Sequence, residues 1–250
     1  MIKKKITNSI KVIGKIVSKI IFHLNINPNL RYEYKNKFLN VYQKFTYEEQ
    51  IDSYNHFKKY FYSSSFLANN KIRDEALRIS LKNHEKNDLY LEFGVYQGSS
   101  MNAFSKILSD FDKSIKIFGF DSFEGLSHDW MAHRQVEGAY DLKGAIPRKK
   151  FNTEYIKGRV EQTLDNFLKE NDYKINFVHF DLDIYEPTKF ALSKIKNRLK
   201  KKSIIVLGQA YNYSGWREGE YKALTEVFSE DEYKFRIFSS NDGHMVIEKL

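Results

Sequence analysis

Leu89-Tyr90-Leu91-Glu92-Phe93-Gly94-Val95-Tyr96-Gln97-Gly98-Ser99-Ser100 is the stretch on which the reading of the fold turns. An apolar run ends in an acid, passes through a glycine-containing turn, and meets small hydroxyl residues able to open a helix. Glycines let the backbone approach a ligand closely, and a helix N-terminus presents unpaired N–H groups. Twenty-nine residues beyond Glu92, a second apolar run, Ile115 to Phe120, ends at Asp121. An acid at the tip of a second strand is placed to accept hydrogen bonds from ribose hydroxyls.

Outward from this point, strands and helices alternate, as in a parallel sheet with crossover helices. The pattern predicts strands at 89–93, 115–120, about 154–157, 175–181 and 203–208, and helices near 99–109, 160–170, 187–199 and 219–228. Asn241-Asp242-Gly243, between Lys234–Ser239 and His244–Glu248, is a hairpin signal, so the sheet closes with an antiparallel pair. Before residue 89 the chain reads as helical. Thr46 and Glu49 suggest a capping box, and Ile72, Ala76, Leu77, Ile79 and Leu81 suggest a helix leading into the first strand. The expected division is 1–88, a helical N-terminal region and cap, and 89–250, an α/β domain with a Rossmann-like sheet. Residues 122–153 form a connection long enough to be a lid or a binding segment.

The chain has 250 residues, no cysteine, three prolines and a net charge of +9. Disulfides, thiolate catalysis and cysteine-ligated metals are excluded, and a reducing, cytoplasmic setting is expected. Basic clusters at Lys3–Lys5, Arg148–Lys150 and Lys200–Lys202 favour anionic partners, but no nucleic-acid module accompanies them. In residues 1–24, Ile6, Ile10, Ile13, Val17, Ile20, Ile21 and Leu24 make an amphipathic stripe interrupted by lysines. Such a helix packs on its own domain or on a second subunit of a homodimer, or lies on an anionic membrane surface. It does not span a membrane.

The ordered motifs resemble class I S-adenosylmethionine-dependent methyltransferases, and within them the macrocin O-methyltransferase-like family that modifies sugar hydroxyls. The carriers are Glu92-Phe-Gly94-Val-Tyr-Gln-Gly98-Ser, Gly119-Phe-Asp121-Ser-Phe-Glu-Gly125-Leu, Lys157-Gly158-Arg-Val-Glu-Gln-Thr163-Leu164, His179-Phe-Asp181-Leu-Asp183-Ile-Tyr185-Glu-Pro-Thr188 and Tyr213-Ser-Gly215-Trp216-Arg-Glu-Gly-Glu220. The resemblance covers about residues 70–250. It implies that Glu92, Gly94 and Gly98 surround the methionine moiety of S-adenosylmethionine. It also implies that Asp121 holds the ribose, that Ser122, Phe123 and Gly158 border the adenine, and that Asp181 lies nearest the methyl group.

The residues leave other readings open. Asp121 could cap a helix, and Arg217, Glu218 and Glu220 could be a solvated helix start. Asp181 and Asp183, two apart, share a strand face, although Asp183 could serve the turn alone. Candidate bases are Asp181, His133 and the less suitable His179. Trp130, Asp183, Tyr185, Tyr213 and Trp216 could line an acceptor pocket. The resemblance also implies an acidic pair after 203–207 that completes a divalent metal site, but those positions are Gly208 and Gln209. A weakened or absent metal site is therefore expected. The acceptor expected is a small molecule, a sugar or other polar metabolite. The alternatives are metal-independent methylation of a phosphate- or phosphoramidate-bearing precursor, and an inactive cofactor-binding scaffold.

Overall fold

The computed structural model describes residues 39–130 and 135–250. The expected helix at 1–24, with its membrane or subunit contact, lies outside the described residues, and so does His133. The chain divides into two units, residues 1–47 and 48–250. The described part of the first is the beginning of helix α1, Val41–Phe61. Its cap is Asn40, not Thr46. Gln43 N–H donates to Asn40 Oδ1 at 2.9 Å, and Asn40 N–H donates to Gln43 Oε1 at 3.1 Å. This reciprocal pair does earlier in the chain what Thr46 and Glu49 were expected to do, so Thr46 falls inside the helix.

The second unit holds the remaining elements: β1 Ser65–Leu67, α2 Asn69–Leu81, β2 Leu89–Phe93, α3 Ser99–Phe111, β3 Ile117–Asp121, β4 Thr153–Lys157, α4 Val160–Glu170, β5 Ile175–Phe180, α5 Tyr185–Ile195, β6 Leu199–Leu207, α6 Glu220–Val227, β7 Tyr233–Ser239 and β8 Met245–Lys249. Among the described residues the sheet has eight strands in the order β1-β7-β8-β6-β5-β2-β3-β4. β8 runs antiparallel to both β6 and β7, and the other pairings are parallel. The central strands β2 and β5 are near-continuous apolar runs because helices cover both faces. The expected strand at 115–120 starts later, at 117, and the helix expected to end at 199 stops at 195.

The expected boundary at 88 falls inside this unit. β1 pairs with β7 at the sheet edge, and α2 packs beside α3 through Ile72, Ala76 and Leu77 against Tyr90, Phe177 and Ile204. The opposite face is covered by α4, α5 and α6, and Phe57 of α1 joins them. Phe57 meets Trp216 at 5.2 Å and Tyr221 at 5.0 Å between ring centroids. On that face Phe93, Phe120 and Phe180, one from each neighbouring strand, stack in a row at 4.9 and 5.0 Å. No helix among the described residues is long and apolar enough to cross a membrane.

Candidate active site

The ladder of the central strands continues one residue past their C-terminal ends. Gly94 N–H donates to Phe120 O, Asp181 N–H to Phe93 O, Gly208 N–H to Phe180 O and Gly158 N–H to Asp121 O. The loops after β2, β3, β4, β5 and β6 therefore leave from one edge. They enclose a cleft of about 350 Å³ at the carboxyl ends of the strands, where open α/β sheets bind ligands. Gly94, Asp121, Ser122, Trp130, Gly158, Asp181 and Asp183, all singled out from the sequence, line it.

Gly94 is needed for two reasons. Its φ is +85°, and a Cβ there would lie 2.0 Å from Asp181 O. The turn after β2 can press against the tip of β5 only with glycine.

Asp121 does more than face the cleft. Oδ2 accepts the N–H groups of Val95 and Tyr96, each at 2.7 Å, and Oδ1 accepts Phe123 N–H at 2.7 Å. Tyr96 and Phe123 both have positive φ, 48° and 57°. One carboxylate thus holds two non-glycine residues in a backbone region that costs about 1–3 kcal/mol each. No helix begins at Asp121, so the capping reading is replaced by one of loop anchoring.

Several expected contacts fall elsewhere. The Glu92 side chain is fully buried and does not line the cleft, because it shares the strand face of Tyr90, which looks toward α2 and α3. It accepts hydrogen bonds from Ser100 Oγ and, at 2.9 Å, from His179 Nδ1. Gly98 caps α3, with Tyr155 and Pro147 beside its Cα. The Phe123 ring is buried in the core beneath α3. Trp216 is fully buried among His56, Phe57 and Tyr221. The Tyr185 hydroxyl bonds Glu226 and accepts from Lys189 Nζ, which turns it toward α6. Tyr213 is buried, donates to Gln209 O at 3.1 Å, and meets the Trp130 ring at 6.4 Å.

The Glu92–His179 contact has the distance of an ion pair, but burial keeps both groups neutral. Desolvation pushes Glu92 up to about 8, opposed by the Ser100 hydrogen bond and the Arg73 charge, and it holds His179 down to about 3. Glu92 favours folding fully below its ordinary 4.5, and this contribution is lost as pH rises toward 8. His179 acts oppositely, disfavouring the fold as pH falls below 6.5. Between pH 6.5 and 8 only the Glu92 slope remains, which amounts to about 2 kcal/mol. Glu92→Gln is expected to flatten that slope in urea titrations. Glu92→Ala should cost about 2–4 kcal/mol at pH 7 by leaving Ser100 and His179 without an acceptor. An identical pH slope in Glu92→Gln would refute the assignment.

Asp181 and Asp183 line the cleft past the tip of β5. Burial, then the charges of Asp181 and Glu220, raise Asp183 well above the usual carboxylate range. Asp183 has φ +66°. A Cβ at position 208 would lie 2.6 Å from Asp181 Oδ1, so the space an acidic residue there would use is taken by Asp181 itself. Among the described residues no group of three or more His, Asp or Glu is arranged to hold a metal ion. Asp181 with the Gln209 amide is a poor donor set for a hard cation.

Sequence reading missed Tyr96 and Tyr140 as lining residues. The Tyr96 and Tyr140 rings meet edge to face at 5.5 Å across the cleft lining. Arg159 Nη1 donates to Gly125 O at 3.1 Å and ties the long connection to the start of α4. That connection is itself ordered by Leu142 and Gly144 N–H groups donating to Phe123 O. Arg159 follows Gly158 directly, among the residues expected to border the adenine, whereas the two tyrosines carried no signal. His128, the other histidine of the connection, pairs with Glu186 at 2.9 Å.

Residues 91–209 match the family described as a methyltransferase domain. The chain is similar in structure to CalS11, a calicheamicin methyltransferase, with 21% identity and a TM-score of 0.56 over 94% of this chain and 90% of that one. The apo structure of CalS11, described as a TDP-rhamnose 3'-O-methyltransferase of calicheamicin biosynthesis, gives 0.53 at 21% identity over 94% and 91%. The O-methyltransferase NovP gives 0.57 at 16% identity over 72% and 78%. No curated protein matches the chain in sequence. At these identities the solved structures establish the fold, and the match to a methyltransferase domain covers residues 91–209 of the chain.

Proposed function

We propose that the chain is an S-adenosylmethionine-dependent methyltransferase that methylates a hydroxyl oxygen of a sugar or of another small polar metabolite. The observation that carries this reading is one cleft lined by Gly94, Asp121, Gly158, Asp181 and Asp183. The description of CalS11 as a TDP-rhamnose 3'-O-methyltransferase and of NovP as an O-methyltransferase supports it.

S-adenosylmethionine, when bound, supplies a methyl group on a positively charged sulfur. In this reading the one lone pair that the three backbone donors leave on Asp121, on Oδ1, accepts from a ribose hydroxyl, with Ser122 and Gly158 bordering the adenine. The backbone after Gly94 would hold the methionine part, and Asp181 and Asp183 would be the carboxyl groups available to the acceptor. Methyl transfer is an in-line displacement, so alignment and removal of the acceptor proton are the protein's tasks. A carboxylate that must take up a proton at neutral pH works best with a raised pKa, and Asp183 has one. The hydroxyl proton passes to the carboxylate while the oxygen forms its bond to carbon and the carbon–sulfur bond breaks.

The test is S-adenosylhomocysteine release with nucleotide-activated sugars, free sugars and phosphorylated metabolites, each with and without EDTA. Turnover on a sugar hydroxyl, changed by less than about twofold by EDTA, is the expected result. Turnover confined to phosphorylated compounds would move the acceptor to an ionised oxygen. Cofactor binding without any turnover would favour the scaffold reading.

A further inference from the structure

Glu220 is the first residue of α6 and has no exposed surface. The sequence around it, Trp216-Arg-Glu-Gly-Glu220, reads as a solvated helix start, and its neighbours behave so. Arg217 pairs with Asp52 at 2.8 Å, and Glu218 pairs with Lys222 at 2.9 Å on the surface. Glu220 instead turns inward, to the mouth that the proposed function assigns to the acceptor. Its Oε2 accepts Gln209 N–H, at the tip of β6, at 2.9 Å. The N–H groups of Leu182 and Asp183, just past the tip of β5, also act on the carboxyl. Its Oε1 is buried without a hydrogen-bond partner of ordinary geometry.

The helix start reaches this place because residue 219 is glycine. A Cβ there would lie 2.9 Å from the Tyr213 hydroxyl and 3.4 Å from Asp183 O.

We propose that Glu220 is a positioning residue that, as an uncharged acid, clamps the tips of β5 and β6 together and so fixes Asp181 and Asp183 against the cleft. Three carboxyl groups share this mouth, and three negative charges in a water-poor space repel strongly. The other titratable group facing Glu220 is the Tyr213 hydroxyl, itself pushed upward by burial and by Glu220 and Asp183. On α5, packed against α6, Lys189 is tied to Glu226 and Glu186 to His128, both at the surface. From α1, Asp52 and Arg217 neutralise each other. Burial and the Asp181 charge accordingly push Glu220 up to about 8, against the backbone hydrogen bonds that pull it down. The clamp is thus a neutral acid whose Oε2 accepts from the backbone and whose Oε1 is the atom left to carry the proton.

The inference rests on the cofactor and acceptor placement proposed above, and its test separates the two. Calorimetry at pH 7 measures S-adenosylmethionine and S-adenosylhomocysteine on the full chain and on Glu220→Gln and Glu220→Ala. The two ligands differ by the methyl group and the sulfur charge, so the ratio of their affinities reports the negative charge of the mouth. An uncharged Glu220 predicts a ratio in Glu220→Gln within about twofold of wild type, whereas loss of a nearby anion would lower it about fivefold or more. Glu220→Ala should also speed hydrogen exchange at the Gln209 amide at least about tenfold, and Glu220→Gln should restore protection. A lowered ratio in Glu220→Gln overturns the uncharged clamp, and unaltered Gln209 exchange in Glu220→Ala overturns the clamp altogether. If neither ligand binds wild type, the proposed cofactor placement fails, and the exchange measurement still decides the clamp. If Glu220→Ala does not fold, Glu220→Asp, whose carboxyl is one methylene too short to reach Gln209, takes its place.

Discussion

Asp121→Ala should weaken S-adenosylhomocysteine binding by about 100- to 1,000-fold. If Asp121 only met the ribose hydroxyls, the loss would be about 1–3 kcal/mol, the usual value for a hydrogen-bonded pair with one charged partner. The carboxylate also accepts three backbone N–H groups, from Val95, Tyr96 and Phe123. Removing it leaves Tyr96 and Phe123 in left-handed backbone without their anchor, so the loop that borders the cleft loses its bound shape before any ligand arrives. Ordering that loop on binding then draws on the ligand's own affinity. Asp121→Asn keeps one acceptor oxygen and turns an amide NH₂ toward backbone donors, so it should fall between the two, near tenfold. Faster hydrogen exchange at Val95 and Tyr96 in Asp121→Ala would separate the loop effect from lost ribose contact. Affinity within about threefold of wild type would mean that Asp121 anchors nothing the ligand uses.

The parts of this architecture readable in the sequence are those governed by local periodicity and by chain direction. Strands buried on both faces are continuous apolar runs, so β2 and β5 emerge from pattern alone, and the Asn241-Asp242-Gly243 turn marks the β7–β8 hairpin. Gly94 and Asp121 are readable because a turn pressed against a neighbouring strand and an acid at a strand tip are positional requirements. What escaped depends on contacts distant in sequence. β1 has three residues, too few for any period, and exists because β7 offers it an edge. The docking of α1 rests on His56 with Tyr221, Ser53 with Asn212 and Glu49 with Gly215, each pair more than 150 residues apart. Glu92 was a different matter, since strand alternation already placed it on the face of Tyr90, which is covered by α2 and α3. Glu220 was hidden because a glutamate among charged neighbours reads as surface until the fold turns it inward.

Asp183→Asn should lower the rate of methyl transfer about 10²- to 10⁴-fold while S-adenosylhomocysteine affinity stays within about threefold. The argument begins with the backbone. Asp183 sits at φ +66°, a region that asparagine tolerates and alanine does not, so the amide variant removes the acid and keeps the turn. Alanine would mix the chemical loss with backbone strain. The next point is the pH profile. A general base works only when deprotonated, so the rate falls as pH falls through its pKa. Asp183 is held well above the usual carboxylate range by burial and by its acidic neighbours, so the acid limb should lie above the pH 4 at which an ordinary aspartate would place it. Asp181→Asn removes one of those neighbouring charges and should move the limb to lower pH as well as slowing the reaction. Asp183→Asn should abolish it. Movement of the limb in one variant and its disappearance in the other assign the roles. Equal, unshifted limbs in both variants would place the base elsewhere, and a rate within a few-fold of wild type in Asp183→Asn would leave an already ionised acceptor as the better account.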